Sequence, residues 1–229
     1  MKKNIFKLIS GLIFALVANA TFAQLAPPAP KGLASSSNPP APAASAPQFV
    51  VLPVAQPVEV KGRNIEVIEF FWYGCPHCYD FDPTLQAWLS KQGKDVVFKR
   101  VPIAFREDFL PHSQMYYAFE AIGKKDAYTR KVMDAIHVEH RQLLKESEIS
   151  EWVAKQGVDV NAFMTAYKSF SVVTKAKAAN KIGESYRIDG VPTVAIDGKY
   201  LTSPSIAGGK NNAIEAMDFL IAKARREKK

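Results

Sequence analysis

Ile65 to Trp72 reads Ile-Glu-Val-Ile-Glu-Phe-Phe-Trp, a β-branched and aromatic run that predicts a buried strand. The period then changes. Tyr79, Phe81, Leu85 and Trp88 fall at helical spacing, and the helix they predict closes near Gly93. Asp95 to Val101, with Val96, Val97 and Phe98, predicts a second strand. The unit is strand–turn–helix–strand, and its crossover is right-handed if the strands are parallel.

The middle of the chain is helical. Ser113 to Ile122 carries Met115, Tyr116, Phe119 and Ile122 on one face, with Gly123 past the end. Ala127 to Val138 follows, with Val132, Ala135 and Ile136 as its apolar positions. Ser147 is placed to cap a helix bearing Ile149, Trp152 and Val153, with Gly157 past its end. Asp159 is placed to cap another, with Val160, Phe163, Met164 and Tyr167 at i, i+3, i+4 and i+7. Val172, Ala176, Ala179, Gly183 and Tyr186 line a longer helix. Strands return at Thr193–Ile196 and Lys199–Thr202, flanking Asp197-Gly198, a two-residue hairpin signal. A last helix from about Asn212 carries Ile214, Met217 and Ile221 and ends in a basic tail suited to the negative end of the helix dipole. The order is βαβ, a helical block over about 108–187, then ββα.

Ahead of this domain the pattern is different. Lys2, Lys3 and Lys7 precede or interrupt an apolar stretch from Ile5 to Val17, and small residues follow at Ala18, Ala20, Thr21 and Ala23. This predicts a signal peptide over 1–23, cut after Ala20 or Ala23. No cysteine lies near the cut for a lipid anchor. The alternative, an uncleaved membrane anchor, needs about 20 apolar residues, and the run is shorter. Residues 24–47 are rich in Pro, Ala and Ser, with too little bulky apolar surface to offset chain entropy. They predict a semi-extended tether. Residues 48–229 remain as one domain with a core of its own.

Composition narrows the class. Of 229 residues, 48% are apolar and 23% charged, as in a soluble globular protein. Two cysteines exclude a disulfide-stapled scaffold and cannot alone complete a four-thiolate zinc site. The formal net charge of +8 falls to +5 when the three lysines of 1–23 are removed. No aromatic-basic stripe points to nucleic acid.

Both cysteines fall in Cys75-Pro76-His77-Cys78, directly after the first strand and at the start of the first helix. That spacing puts the two sulfurs within bonding reach, with Cys75 at the solvent end and Cys78 one turn in. A helix N-terminus offers free N–H groups and partial positive charge, which favour a thiolate on Cys75 and lower its pKa. Pro76 at the first helical position sacrifices no needed donor. A protonated His77 adds positive charge beside the sulfur. Stabilising the thiolate stabilises the dithiol and makes the disulfide the stronger oxidant. Two other readings use the same spacing. The pair could be half of a zinc site completed by ligands such as His112, His137 or His140, although zinc knuckles follow turn-rich sequence rather than a buried strand. A purely structural disulfide would close a very short loop and contribute little stability.

Gly190-Val191-Pro192-Thr193, just before a strand, carries little weight alone, since most X-Pro bonds are trans. Together with Glu69-Phe70-Phe71, Cys75-Pro76-His77-Cys78-Tyr79 and the central helical block, it completes a pattern. The sequence from about Phe49 to the C-terminus resembles the thioredoxin superfamily and, within it, the DsbA-like thiol:disulfide oxidoreductases of the periplasm.

The resemblance implies an α/β thioredoxin-like fold, a central mixed sheet with flanking helices and an inserted helical domain. It implies that Cys75 is the attacked sulfur, Cys78 its partner, Pro192 a cis proline facing the pair behind Val191, and Glu69 a buried acid beneath them. Pro83 resembles a helix kink of the superfamily, and Phe49, Val50 and Val51 are placed as an edge strand. Phe71, Trp72 and Tyr73 floor a peptide groove or pack in the core. The implied activity is oxidation of reduced exported polypeptides in the periplasm, with reoxidation by a DsbB-like quinone-linked membrane oxidase and no metal or soluble cofactor. The tether has no place in the usual family pattern. A reductase or isomerase would use the same residues with the opposite poise, although isomerases usually add a dimerisation domain. A non-catalytic metal-binding or chaperone module is the alternative of a different class.

Overall fold

The computed structural model describes residues 48–228. The expected signal peptide and tether lie outside the described residues. Five strands form one mixed sheet in the order β1-β5-β4-β2-β3. Strand β2 (Ile65–Phe71) leads through helix α1 (Pro76–Leu89) to the parallel strand β3 (Val96–Pro102). Strand β4 (Thr193–Ile196) runs antiparallel to β2, and β5 (Tyr200–Thr202) antiparallel to β4. The edge is β1 (Val50–Val51), antiparallel to β5, with the Phe49 ring edge-on to Tyr200.

All seven residues of β2 are buried, because both faces of the sheet are covered. Strand alternation divides them. Ile65 and Val67 pack with Phe81, Leu85 and the C-terminal helix α8 (Lys210–Glu227), whereas Ile68 and Phe70 pack with Ala179 and Tyr186. Glu69 shares the parity of Ile65 and Val67, so it is a carboxylate on the face that α1 covers.

Between β3 and β4 lie α2 (Leu110–Ala121), α3 (Lys125–His137), α4 (Glu146–Lys155), α5 (Val160–Lys168) and α6 (Phe170–Ser185). Their apolar faces close on a core that includes Met115, Phe119, Trp152 and Phe163. Asp159 caps α5 by accepting from Ala162 N, and Ser169 caps α6 by accepting from Val172 N.

Several boundaries differ from the sequence expectation. Ser147 does not cap α4. The cap lies two residues earlier, at Lys145, whose carbonyl already accepts from Ile149 N, and Glu146 and Glu148 occupy the dipole-favoured first turn. Helix α2 starts at Leu110, ahead of Ser113, with Pro111 in its first turn, where no donor is needed. The final helix starts at Lys210. A one-turn helix, α7 (Pro204–Ala207), precedes it and is too short for periodicity to reveal. The hairpin turn has Asp197 at φ 51° and Gly198 at φ 70°, and a Cβ on Gly198 would lie 2.2 Å from the Gln56 carbonyl oxygen. Among the described residues no helix is long and apolar enough to cross a membrane.

Candidate active site

Strand β2 stops at Phe71 because the next residues turn. Cys75 N donates to the Trp72 carbonyl at 3.0 Å, which aims the chain into α1. The Trp72 ring folds over Gly74 and stacks on Phe109 at 4.2 Å between centroids. A Cβ at Gly74 would stand 2.4 Å from that ring, so the residue before Cys75 has to be glycine for the stack to form. Trp72 is half-buried, whereas Phe71 and Tyr73 are buried with the helical insertion and cannot floor a groove.

Cys75 is the N-cap of α1. Its backbone is extended (φ −84°, ψ 116°), Pro76 takes the first helical position, and its Sγ accepts from Cys78 N at 3.4 Å. A sulfur thus stands where Ser or Asp usually caps a helix. Cys75 is less open than the sequence suggests: 7% of its surface is accessible, and that of Cys78 is fully covered. Val191 of the loop opposite accounts for part of this cover, its carbonyl oxygen lying 3.3 Å from Cys75 Sγ. The Val191–Pro192 peptide is cis. Both cysteines are free thiols.

The two thiols are driven apart in acidity. Cys75 is lowered to about 6, first by the hydrogen bond from the Cys78 thiol. Burial opposes this, and the backbone N–H groups of Cys78 and His77 and then the charge of His77 reinforce it. His77 itself is exposed. Cys78 is pushed far up, chiefly by burial, then by its bond to Cys75 and the negative charges of Cys75 and Glu69. Ultraviolet titration of the thiolate is therefore expected to show one midpoint at about 6, against about 8.5 for a free thiol. His77→Ser should move that midpoint upward. A midpoint at 8 or above would remove the thiolate preference (~8.5 is unperturbed).

Glu69 is fully buried. One carboxylate oxygen accepts from Arg100 Nε, its strand neighbour across the β2–β3 ladder, and the other has no partner among the described residues. Burial raises its pKa, and Arg100 partly offsets the shift. Arg100, itself nearly enclosed, also binds the buried Asp82 of α1. Neither Arg100 nor Asp82 was identified from the sequence, although a charge at matching register in two apolar strands is a readable signal.

A third element tightens the site. Pro83 sits inside α1 and has no N–H for the carbonyl four residues back, that of Tyr79. Arg130 of α3 supplies the missing donor, with Nη1 3.2 Å from Tyr79 O, its guanidinium 4.0 Å from the Tyr79 ring centroid, and further bonds to Asp82 and Asp134. His137 stacks on Tyr79 at 4.8 Å between ring centroids and meets the Tyr73 carbonyl through Nε2. His112 is buried, meets the Gln142 carbonyl through Nε2, and is lowered to about 4, mainly by burial. His112 is thus committed to a backbone carbonyl of the insertion, and His137 to the carbonyl of Tyr73 in the loop before Cys75.

The comparisons with known proteins agree with this geometry. The DSBA-like thioredoxin domain matches residues 99–212. The thiol:disulfide interchange protein DsbA of Burkholderia cepacia is 43% identical over 222 residues, 97% of this chain and 99% of that protein. The Azotobacter vinelandii protein of the same name is 40% identical over 78% of this chain and 83% of its own length. The crystal structure of Pseudomonas aeruginosa DsbA superposes with a TM-score of 0.75 at 38% identity, covering 79% of this chain and 93% of that one. With the mixed sheet, the helical insertion and the Cys-Pro-His-Cys helix cap all in place, the chain belongs to the DsbA family of thiol:disulfide oxidoreductases.

Proposed function

We propose that the protein works as an oxidase, passing a Cys75–Cys78 disulfide to reduced polypeptides exported to the periplasm. The observation that carries the direction is the split between the two thiols, Cys75 lowered to about 6 and Cys78 raised. A substrate thiolate attacks Cys75 Sγ, the Cys75–Cys78 bond breaks, and its electron pair leaves on Cys78, which takes up a proton. A second substrate thiolate then attacks the substrate sulfur of the mixed disulfide. Cys75 departs as a thiolate, which the cap bond from Cys78 N and the helix terminus stabilise. Two electrons have moved from substrate to protein.

In this reading Pro76 and His77 shape the cap, Glu69 is the buried acid below Cys78, and the Val191–Pro192 backbone pairs with an extended substrate as an added strand would. Residues 1–23 direct export and are removed, 24–47 tether the domain, and a DsbB-like quinone-linked membrane oxidase restores the disulfide. No metal or soluble cofactor enters these steps.

Two measurements test the direction. Equilibrated with a glutathione buffer at neutral pH, the pair should lie mostly as dithiol, because each thiolate-stabilising interaction favours that form. A pair that stays oxidised in excess reduced glutathione would point to a reductase. The urea stability of the two forms should also diverge with pH. The lowered Cys75 pKa adds stability to the reduced form that is absent well below pH ~6 and grows up to about 8.5. Above that the gain turns down, because the raised Cys78 thiol stays protonated in the fold while the unfolded chain ionises. The oxidised form has neither titration. A reduced form no more stable than the oxidised one at pH ~8 contradicts the assignment.

A further inference from the structure

Val191, whose carbonyl meets Cys75 Sγ, lines a cavity of about 620 Å³ together with Pro192 and with His77 of the Cys-Pro-His-Cys segment. Four of its lining side chains can carry charge: His77 and Asp80 of α1, Asp189 of the loop, and Lys210 at the start of α8. They are not equivalent. Lys210 Nζ is held at 2.9 Å by both carboxylate oxygens of Asp80, so these two charges cancel across the groove. Asp189 is exposed and forms no ion pair among the described residues. With histidine neutral, two carboxylates and one ammonium leave the groove at −1. The chain as a whole is basic, at +5 without the three lysines of 1–23.

Asp189 stands two residues before Val191, whose carbonyl oxygen is 3.3 Å from Cys75 Sγ. Two residues of extended chain span at most about 7 Å. A polypeptide whose cysteine has reached Cys75, and which lies along Val191, brings the side chains within about three residues of that cysteine into the range of Asp189.

We infer that Asp189 is a specificity residue of this groove, favouring substrate polypeptides with a lysine or arginine close to the reacting cysteine, and that the Asp80–Lys210 pair holds a second carboxylate in reserve. The inference rests on the oxidase reading. It concerns which polypeptides react fastest, whereas the sulfur chemistry is that given above. Exposed charge pairs contribute up to about 1 kcal/mol, which corresponds to a two- to fivefold effect on rate. The preference is therefore graded rather than absolute, and it shrinks as salt shortens the range of the field.

The test uses the oxidised protein and synthetic reduced dithiol peptides that differ only in having Lys or Glu within three residues of the first cysteine. The reading is the ratio of kcat/KM for the Lys peptide to that for the Glu peptide, at mildly alkaline pH and low salt. The peptides' own thiol reactivities cancel when this ratio is compared between variants. Asp189→Asn takes the groove to neutral and should lower the ratio about two- to fivefold. Asp189→Lys should lower it further, and Lys210→Gln, which frees Asp80, should raise it. Asp189 is exposed and Lys210 half-exposed, and thermal unfolding of each variant checks that the fold is kept. A ratio that does not follow groove charge in that order, in folded variants that still oxidise both peptides, overturns the inference. Failure of the unsubstituted protein to oxidise either peptide sinks the oxidase reading instead.

Discussion

Cys75→Ser should reduce the oxidation of a reduced dithiol peptide to the uncatalysed rate, while Cys78→Ser should leave a protein that accumulates stable mixed disulfides through Cys75. The difference follows from access and acidity. Cys75 is the sulfur with residual exposure and the one the cap bond from Cys78 N stabilises as a thiolate. Cys78 has no accessible surface and a raised pKa, so it can neither be attacked from solvent nor compete as a nucleophile when alone. In Cys78→Ser nothing inside the protein can displace a bound substrate, and only a second external thiol resolves the complex. Each variant is first treated with oxidised glutathione, which supplies the oxidising equivalents by forming a glutathione mixed disulfide on any reactive protein thiol; a reduced substrate then displaces glutathione, and non-reducing electrophoresis separates the cases. Undiminished turnover in Cys75→Ser would end the assignment of the attacked sulfur, and adducts through Cys78 in that variant would reverse the two roles.

Arg100→Met should be the most damaging single change away from the sulfurs. The arginine side chain is 8% exposed and binds two carboxylates, Glu69 with no exposure and Asp82 with 4%. Removing it strands Glu69 in a low-dielectric interior and leaves Asp82 with Arg130 as its one remaining arginine, at 3.5 Å. Breaking a buried ion pair by deleting one partner costs about 3–5 kcal/mol. Urea unfolding with an unchanged m-value reads that loss. It should shrink as the pH is lowered, because Glu69, whose pKa burial already raises, then takes up a proton and ceases to be an unpaired charge. Pairing Arg100→Met with Glu69→Gln should recover part of the loss, a coupling that residues in direct contact show. A cost under about 1 kcal/mol would mean that water reaches these carboxylates.

The part of this molecule that could be read in the sequence is the part written in local pattern. Ile65–Phe71 declared itself by composition, the Asp197-Gly198 turn by the positive φ it needs, and the Cys-Pro-His-Cys cap by its place between a strand and a helix. Ser147 misled because a good capping residue in the first turn of a helix looks the same in sequence as one before it. Phe71, Trp72 and Tyr73 could not be sorted between groove and core, since only the packing of the insertion buries the first and third. Arg100 and Arg130 were missed for one reason. Their partners Glu69, Asp82 and Tyr79 are brought to them by sheet register and by helix docking, and neither is encoded within a short window. Val191 was found through its neighbour Pro192, and only its distance to Cys75 gives it a contact.

The bond from Arg130 to the Tyr79 carbonyl bears on how such a protein can be taken apart. On paper the five helices between β3 and β4 are a cassette spliced into a smaller unit of five strands and flanking helices, and excision at the two junctions looks feasible. The proline in α1 makes the cassette indispensable. With Arg130 gone, the helix that bears the two sulfurs would keep a vacant acceptor at Tyr79, and Asp82 would lose one of its two arginines. A minimal version would have to replace Pro83 with a residue that donates, so that α1 completes its own ladder. Conversely, a cassette moved into another host has a partner for this arginine only where that host's first helix leaves the same carbonyl open.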